Sequence, residues 1–217
     1  MKKIFLITVC CAMLFAMSPV AYSFDFDGMY VGGSIGYSQI NDMNLENRLQ
    51  FQFHHKDLEP DGGFALSVAA GFRPYEMLRV EGEMSYQTND IDNQGLVTIN
   101  GDVSSFALML NGYFEPAAAN GSPFQPYITF GIGWVNVESD FTLTEEPQYF
   151  PLNRTFKYDT AQGAFGYQVG AGVGYAYSEK ITFDFKYRYQ WADKLAYNST
   201  VVEYTSNNIY VGIRYAF

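Results

Sequence analysis

The sequence predicts an all-β fold, an eight-stranded antiparallel up-and-down transmembrane β-barrel, and three observations lead there. Segment 181–191 alternates without a fault: Ile181, Phe183, Phe185, Tyr187, Tyr189 and Trp191 share one face of an extended chain, and Thr182, Asp184, Lys186, Arg188 and Gln190 share the other. Its ~11 residues suit a tilted strand crossing a bilayer, whereas strands of soluble sheets average nearer 5 or 6. The last segment, 208–217, sets Ile209, Val211, Ile213, Tyr215 and Phe217 on one face and stops on an aromatic residue. That edge would invite aggregation in water, but lipid solvates it. Beyond the N-terminus no stretch has the roughly 20 apolar residues of a transmembrane helix. Yet the chain holds 18 Tyr, 19 Phe and 20 Gly, which fits a membrane protein whose signal lies in alternation.

The elements follow in order. Lys2 and Lys3 precede the apolar run 4–17, and Ala21 and Ser23 are small residues where a signal peptidase reads. Residues 1–23 are therefore expected to be a cleaved secretory signal peptide, with 24–217 as the barrel domain. Both cysteines, Cys10 and Cys11, fall in that leader. A mature chain without thiols excludes disulfides and Cys-ligated metal, and suits an oxidising periplasm. Strand one, 29–39, sets Met29, Val31, Ile35 and Tyr37 outward, with a long polar connection at 40–62. Strand two, 63–73, alternates Phe64, Leu66, Val68, Ala70 and Phe72 with small residues, and a tight turn is expected at Pro74. Strand three, 78–88, opposes Leu78, Val80, Met84 and Tyr86 to Arg79, Glu81, Glu83, Ser85 and Gln87.

Strand four, 103–115, turns Phe106, Leu108, Leu110 and Phe114 outward, while Met109 and Tyr113 blur its inner face. After a turn at 116–125, strand five, 126–138, carries Ile128, Phe130, Ile132 and Trp134 outward. A long loop, 139–162, leads to strand six, 163–178, where Phe165 to Tyr177 alternate with Gly166, Gln168, Gly170, Gly172 and Gly174. Ser178-Glu179-Lys180 turns into strand seven, and 192–206 connects to strand eight. In hydrocarbon no strand edge can stay unpaired, so strand one is expected to close on strand eight. Tyr37, Trp134, Tyr167, Tyr177 and Trp191 are expected near strand ends, at the headgroups. An even strand number puts both termini on one side, expected to be periplasmic with the short turns, and loops 40–62, 89–102, 139–162 and 192–206 outside.

Eight strands enclose little more than their own side chains. The inward charges, Arg73, Arg79, Lys186, Arg188 and Arg214 against Glu81, Glu83, Glu115 and Asp184, are expected to pair and plug the lumen, because an unpaired buried ion costs several kcal/mol. A narrow gated path through the same charges is the alternative.

Several segments resemble the outer-membrane β-barrel family of Gram-negative bacteria, which includes OmpA-like and opacity-type small barrels and related surface antigens. They are Pro123-Phe124-Gln125-Pro126-Tyr127-Ile128 with Gly131-Ile132-Gly133, the run from Phe165 to Val173, Glu179-Lys180-Ile181 and Tyr187-Arg188-Tyr189. At the C-terminus, Tyr210, Gly212, Tyr215 and Phe217 resemble the family's insertion signal for the barrel-assembly machinery. The resemblance spans about residues 28–217 and implies a bacterial outer-membrane location, with outer-membrane lipid and lipopolysaccharide as partners. It does not imply one activity, since such folds host many. No peptidoglycan-binding domain is expected after the barrel.

Three functions fit. The first is a non-enzymatic barrel whose loops meet an extracellular ligand in adhesion or host and envelope interaction; loop aromatics Phe51, Phe53, Phe141, Tyr149, Phe150 and Phe156 would form its recognition patch or simply pack together. The second is a small porin-like channel. The third is a lipid-modifying enzyme, for which His54 or His55 with a loop serine such as Ser104 or Ser139 would have to supply base and nucleophile. Adjacent histidines on an extended segment point apart, and carboxylates such as Asp57 or Glu59 would have to complete a zinc site, so no catalytic, cofactor or metal residue is assigned. The acidic balance is net −10, or −12 with 11 basic against 23 acidic residues once Lys2 and Lys3 are removed; it argues against nucleic acid.

Overall fold

Each strand pairs with its sequence neighbours, and the first pairs with the last, in the computed structural model of the chain, which describes residues 28–41, 62–93, 97–145, 155–197 and 200–217. The strands are β1 (Met29–Ile40), β2 (Gly63–Tyr75), β3 (Leu78–Asn93), β4 (Val97–Phe114), β5 (Phe124–Glu145), β6 (Thr155–Ala176), β7 (Ile181–Tyr197) and β8 (Thr200–Ala216). All pairings are antiparallel and the sheet is a closed barrel. No described helix is long and apolar enough to cross a membrane.

The register fixes the barrel's shape. Partners followed around the wall from Tyr30 run through Gly71, Glu81, Asn111, Gly131, Gln168, Gln190 and Ser206 to Ile40, ten residues further along β1. A stagger of ten over eight strands, with ordinary strand rise and spacing, tilts the strands by about 40° from the barrel axis. At that tilt each residue climbs about 2.5 Å, so the ten steps from Phe124 to Trp134 on β5 span about 25 Å, the height of a barrel's apolar band.

Trp134 is not at a strand end. β5 continues eleven residues past it to Glu145, and β6 starts at Thr155 rather than 163. The expected loops at 89–102, 139–162 and 192–206 are largely hairpin, paired as far as Asn93↔Ile99, Thr144↔Thr155 and Tyr197↔Thr200. These stretches are rich in Asn, Asp, Thr, Glu and Pro, a composition that reads as loop in the sequence. The opposite end is short. Pro74 lies within β2 at a register shift between Phe72 and Tyr75, where a missing N–H is tolerated, and the turn is Glu76-Met77. A 3-10 turn, Ala118–Asn120, ends on Gly121 at φ 65° before β5. In the turn to β7, Ser178 Oγ accepts from Ile181 N at 3.1 Å.

Ile35, Phe64, Leu110, Phe130, Phe185 and Val211 stand on the outer face, and small inward residues make room inside for large ones. A Cβ on Gly172 would lie 2.6 Å from the Tyr127 ring, one on Gly36 2.8 Å from Tyr210 Cδ1, and one on Gly71 against the Tyr30 hydroxyl. The inward glycines of β1, β2 and β6 are thus seats for tyrosines of other strands.

Candidate functional site

The interior divides into three zones along the barrel. Nearest the short turns, Arg79 is 2% exposed and lies with its guanidinium 3.6 Å from the centre of the Tyr113 ring. Its Nε and Nη2 donate to one oxygen of Glu115 at 2.9 and 2.8 Å, and its Nη1 donates to Glu81 at 2.7 Å and to the Tyr30 hydroxyl at 2.9 Å. Glu81 also accepts from Tyr30 and Tyr113, each at 2.7 Å. Glu115 serves two further cations, Arg73 at 2.6 Å and Arg214 at 3.6 Å. Arg214 is also held by both oxygens of Asp184, at 2.5 and 3.1 Å. Arginine takes this role because its planar fork can serve two carboxylates at once.

In the middle zone, one carboxylate holds two cations. Lys186 Nζ donates to Glu83 Oε2 at 2.9 Å and Arg188 donates to Oε1; Arg188 also bonds the Tyr210 hydroxyl and lies 4.6 Å from that ring's centre. Amides follow outward: Gln168 donates to Asn111 at 2.6 Å and Gln87 donates to Gln190 at 2.8 Å.

The outer zone is apolar. Ile40, Val103, Ala107, Met109, Val135, Val137, Ala164, Ala192 and Tyr204 form one buried cluster. Tyr204 marks the boundary, since its hydroxyl accepts from Gln87 at 2.8 Å and bonds Ser105 at 2.9 Å while its ring joins the cluster. Along β7 the inward side chains run Asp184, Lys186, Arg188, Gln190, Ala192, a gradient from charge to hydrocarbon.

All nine charged residues singled out in the sequence lie in the first two zones, where Glu83 joins Lys186 and Arg188, and the other six form one network around Glu115, Glu81 and Asp184. The sequence places Tyr30, Tyr113 and Tyr127 on inward positions but does not indicate that they join the charge network, nor that an apolar cluster forms beyond it. The cluster's signal was available: Val103, Val135 and Val137 share the parity of the inward Tyr113 and Tyr127. Ile40, assigned to a polar connection, is instead the buried last residue of β1, two positions beyond the inward Ser38.

The four C-terminal residues divide between the faces. Tyr210 and Gly212 turn inward, Gly212 against Ser34, while Tyr215 and Phe217 lie outward with ring centres 5.7 Å apart. Phe217 N donates to Met29 O at 3.1 Å, fastening the last residue to the first strand. Of the loop aromatics, Phe141 and Phe156 belong to β5 and β6 rather than to a loop. Phe51, Phe53, Tyr149 and Phe150 lie outside the described residues, as do His54, His55, Asp57, Glu59 and residues 1–23. Ser104 faces outward on β4 and Ser139 inward on β5, so the two do not share a site. Among the described residues no three His, Cys, Asp or Glu side chains converge as metal ligands.

A family model described as outer membrane protein beta-barrel domain matches residues 7–217. No curated protein matches the chain. Among solved structures, Neisserial surface protein A is similar with a TM-score of 0.59 at 19% identity, over 88% of this chain and 98% of that one. The outer membrane protein OprG of Pseudomonas aeruginosa gives 0.57 at 15%, over 88% and 96%. The outer membrane protease OmpT of Escherichia coli gives 0.51 at 11%, over 91% and 99%. At these identities the likeness is one of fold, and it includes a protease.

Proposed function

The chain belongs to the outer membrane protein beta-barrel domain family, and from that premise we propose a non-enzymatic surface barrel with a closed lumen, whose outer hairpins contact a ligand outside the cell. The observation that carries this reading is the asymmetry of the wall. At one end β5 and β6 run far past the apolar band, while at the other the strands meet in short turns. Such extensions do nothing for insertion in lipid and form a rigid platform in water for the connections they carry. The long hairpins then face outward and both termini face the periplasm, after removal of residues 1–23. The closed lumen rests on paired charges in the middle of the barrel and an apolar zone at the hairpin end.

The remaining partners follow from the surfaces. The apolar band meets outer-membrane lipid and lipopolysaccharide, and Tyr210, Gly212, Tyr215 and Phe217 serve the assembly machinery during insertion. The acidic charge disfavours nucleic acid. The test replaces residues 141–158 with a two-residue turn and, in a second variant, shortens 42–61. Whole cells displaying each are compared with wild type for binding to epithelial cells and immobilised matrix proteins. Trimmed barrels should assemble normally and lose binding. Equal binding by trimmed and intact barrels, or none by the intact one, would contradict the contact role.

A further inference from the structure

We propose that the apolar outer zone, and not the charge network, is the seal of this lumen, so that the barrel is a hydrated half-channel: wet toward the turns and dry toward the hairpins. The inference rests on the closed-lumen reading and says which residues do the closing.

The polar path begins at the turn end. A vestibule of about 700 Å³ opens there, lined by Tyr30, Arg73, Lys180 and Arg214 among others. Arg214, paired with Asp184, also lines a smaller cavity of about 30 Å³ that reaches Glu81, Glu83 and Lys186. That is room for one or two water molecules among polar groups able to hold them. The Arg214–Asp184 pair is therefore a hydrophilic partition with polar space on both sides. Further along, Ser85 Oγ, Asn111 Nδ2, Thr129 Oγ1, Arg188 Nε and Asn208 Oδ1 are buried and have no partner among the described residues. Thr129 and Arg188 flank Gly170 in register, where no side chain intervenes. Buried polar atoms that protein leaves unpaired are served by water. Donors and acceptors thus run from the vestibule to the glutamines.

At Tyr204 this path stops. Its hydroxyl is the last group of the amide layer on that side, and beyond it Val103, Val135 and Val137, each at most 1% exposed, pack with Ile40, Ala164 and Ala192. On the facing wall Ala65, fully buried, pairs in register with Gln87, and two residues beyond Gln87 the Asn89 Nδ2 donates to the Ser38 carbonyl at 2.8 Å. Salt bridges can exchange partners with water and let small ions pass by rearrangement. A close-packed apolar layer offers an ion nothing in place of its hydration shell and closes by dewetting.

The test measures potassium efflux from phosphatidylcholine vesicles holding wild type, the triple variant Val103→Thr/Val135→Thr/Val137→Thr, or Arg188→Met. Val→Thr keeps the side-chain shape while adding a hydroxyl, and the heat-dependent gel mobility of folded barrels checks assembly. The triple variant should raise efflux well above the wild-type baseline, and Arg188→Met should leave it unchanged. A triple variant as tight as wild type, or a leak from Arg188→Met alone, overturns the assignment. If the triple variant does not fold, Val135→Thr alone carries the same comparison. A leaking wild type would instead overturn the closed-lumen reading beneath it.

Discussion

Glu83→Gln would strand two buried cations with one isosteric change. Lys186 and Arg188 now share that carboxylate, and Arg188 is wholly buried. After the substitution Arg188 keeps only the neutral Tyr210 hydroxyl and ring, and Lys186 faces a cavity whose other carboxylates, Glu81 and Asp184, are already held by Arg79 and Arg214. Removing one partner of a buried ion pair costs about 3–5 kcal/mol, and stranding two charges points to the upper end. Arg188→Met should behave differently, because it leaves Lys186 and Glu83 as a balanced pair and forfeits mainly the stacking on Tyr210, about 2 kcal/mol. The double variant strands a single cation, so its cost should fall below the sum of the two. Urea unfolding of the refolded barrel in lipid vesicles reads these differences through the fluorescence of Trp134 and Trp191, the two tryptophans of the chain. Glu83→Gln unfolding at the wild-type midpoint, or Arg188→Met costing as much, would refute the one-carboxylate, two-cation account.

Gly36→Ala would press its Cβ against the Ile209 carbonyl oxygen and the Tyr210 ring, and should destabilise by about 1–3 kcal/mol. Lipid-facing Gly82→Ala, whose Cβ would find its nearest atom at 3.9 Å, should stay within about 0.5 kcal/mol in the same urea assay. Tyr204→Phe leaves Gln87 and Ser105 short of a partner and should cost about 1–3 kcal/mol, whereas an unchanged midpoint would show that the boundary bonds contribute nothing. Deleting Phe217 removes its outward ring and its bond to Met29 O, and should slow barrel assembly in cells more than it lowers the stability of barrel already formed; normal assembly rate and yield would remove it as an insertion signal. Cysteines placed at Ile35 and Val211, partners across the closing seam, should cross-link on oxidation, and absence of the link would argue against β1–β8 pairing.

Inside the apolar band the sequence carried the fold almost completely, because lipid imposes period-two alternation on every strand that crosses it. Strand seven, with Ile181 to Trp191 outward, and the parity of β5 and β6 followed directly. Outside the band that constraint ends. β5 beyond Glu138 and β6 before Gly163 still alternate, Phe141 and Leu143 with Thr142 and Thr144, Phe156 and Tyr158 with Lys157 and Asp159, but the acidic residues, Asn and Pro around them read as loop, and only the pairing reveals the hairpin. The interior was legible where it is charged, since Arg and Glu on the inner parity of a membrane strand stand out. It was not legible where it is apolar, because Val135 or Ala164 in a strand looks ordinary until its neighbours are known. Nor could the sequence tell which cation meets which carboxylate; Glu115 gathers Arg73, Arg79 and Arg214 from three strands.

The proposed closed lumen leaves the hairpins as the working surface. Single-channel recording of the wild-type barrel in a planar bilayer addresses this directly. The expected result is a flat baseline at all moderate voltages, with no steady open level. A large, steady conductance from correctly folded barrel would contradict the closed lumen and return the protein to the class of channels.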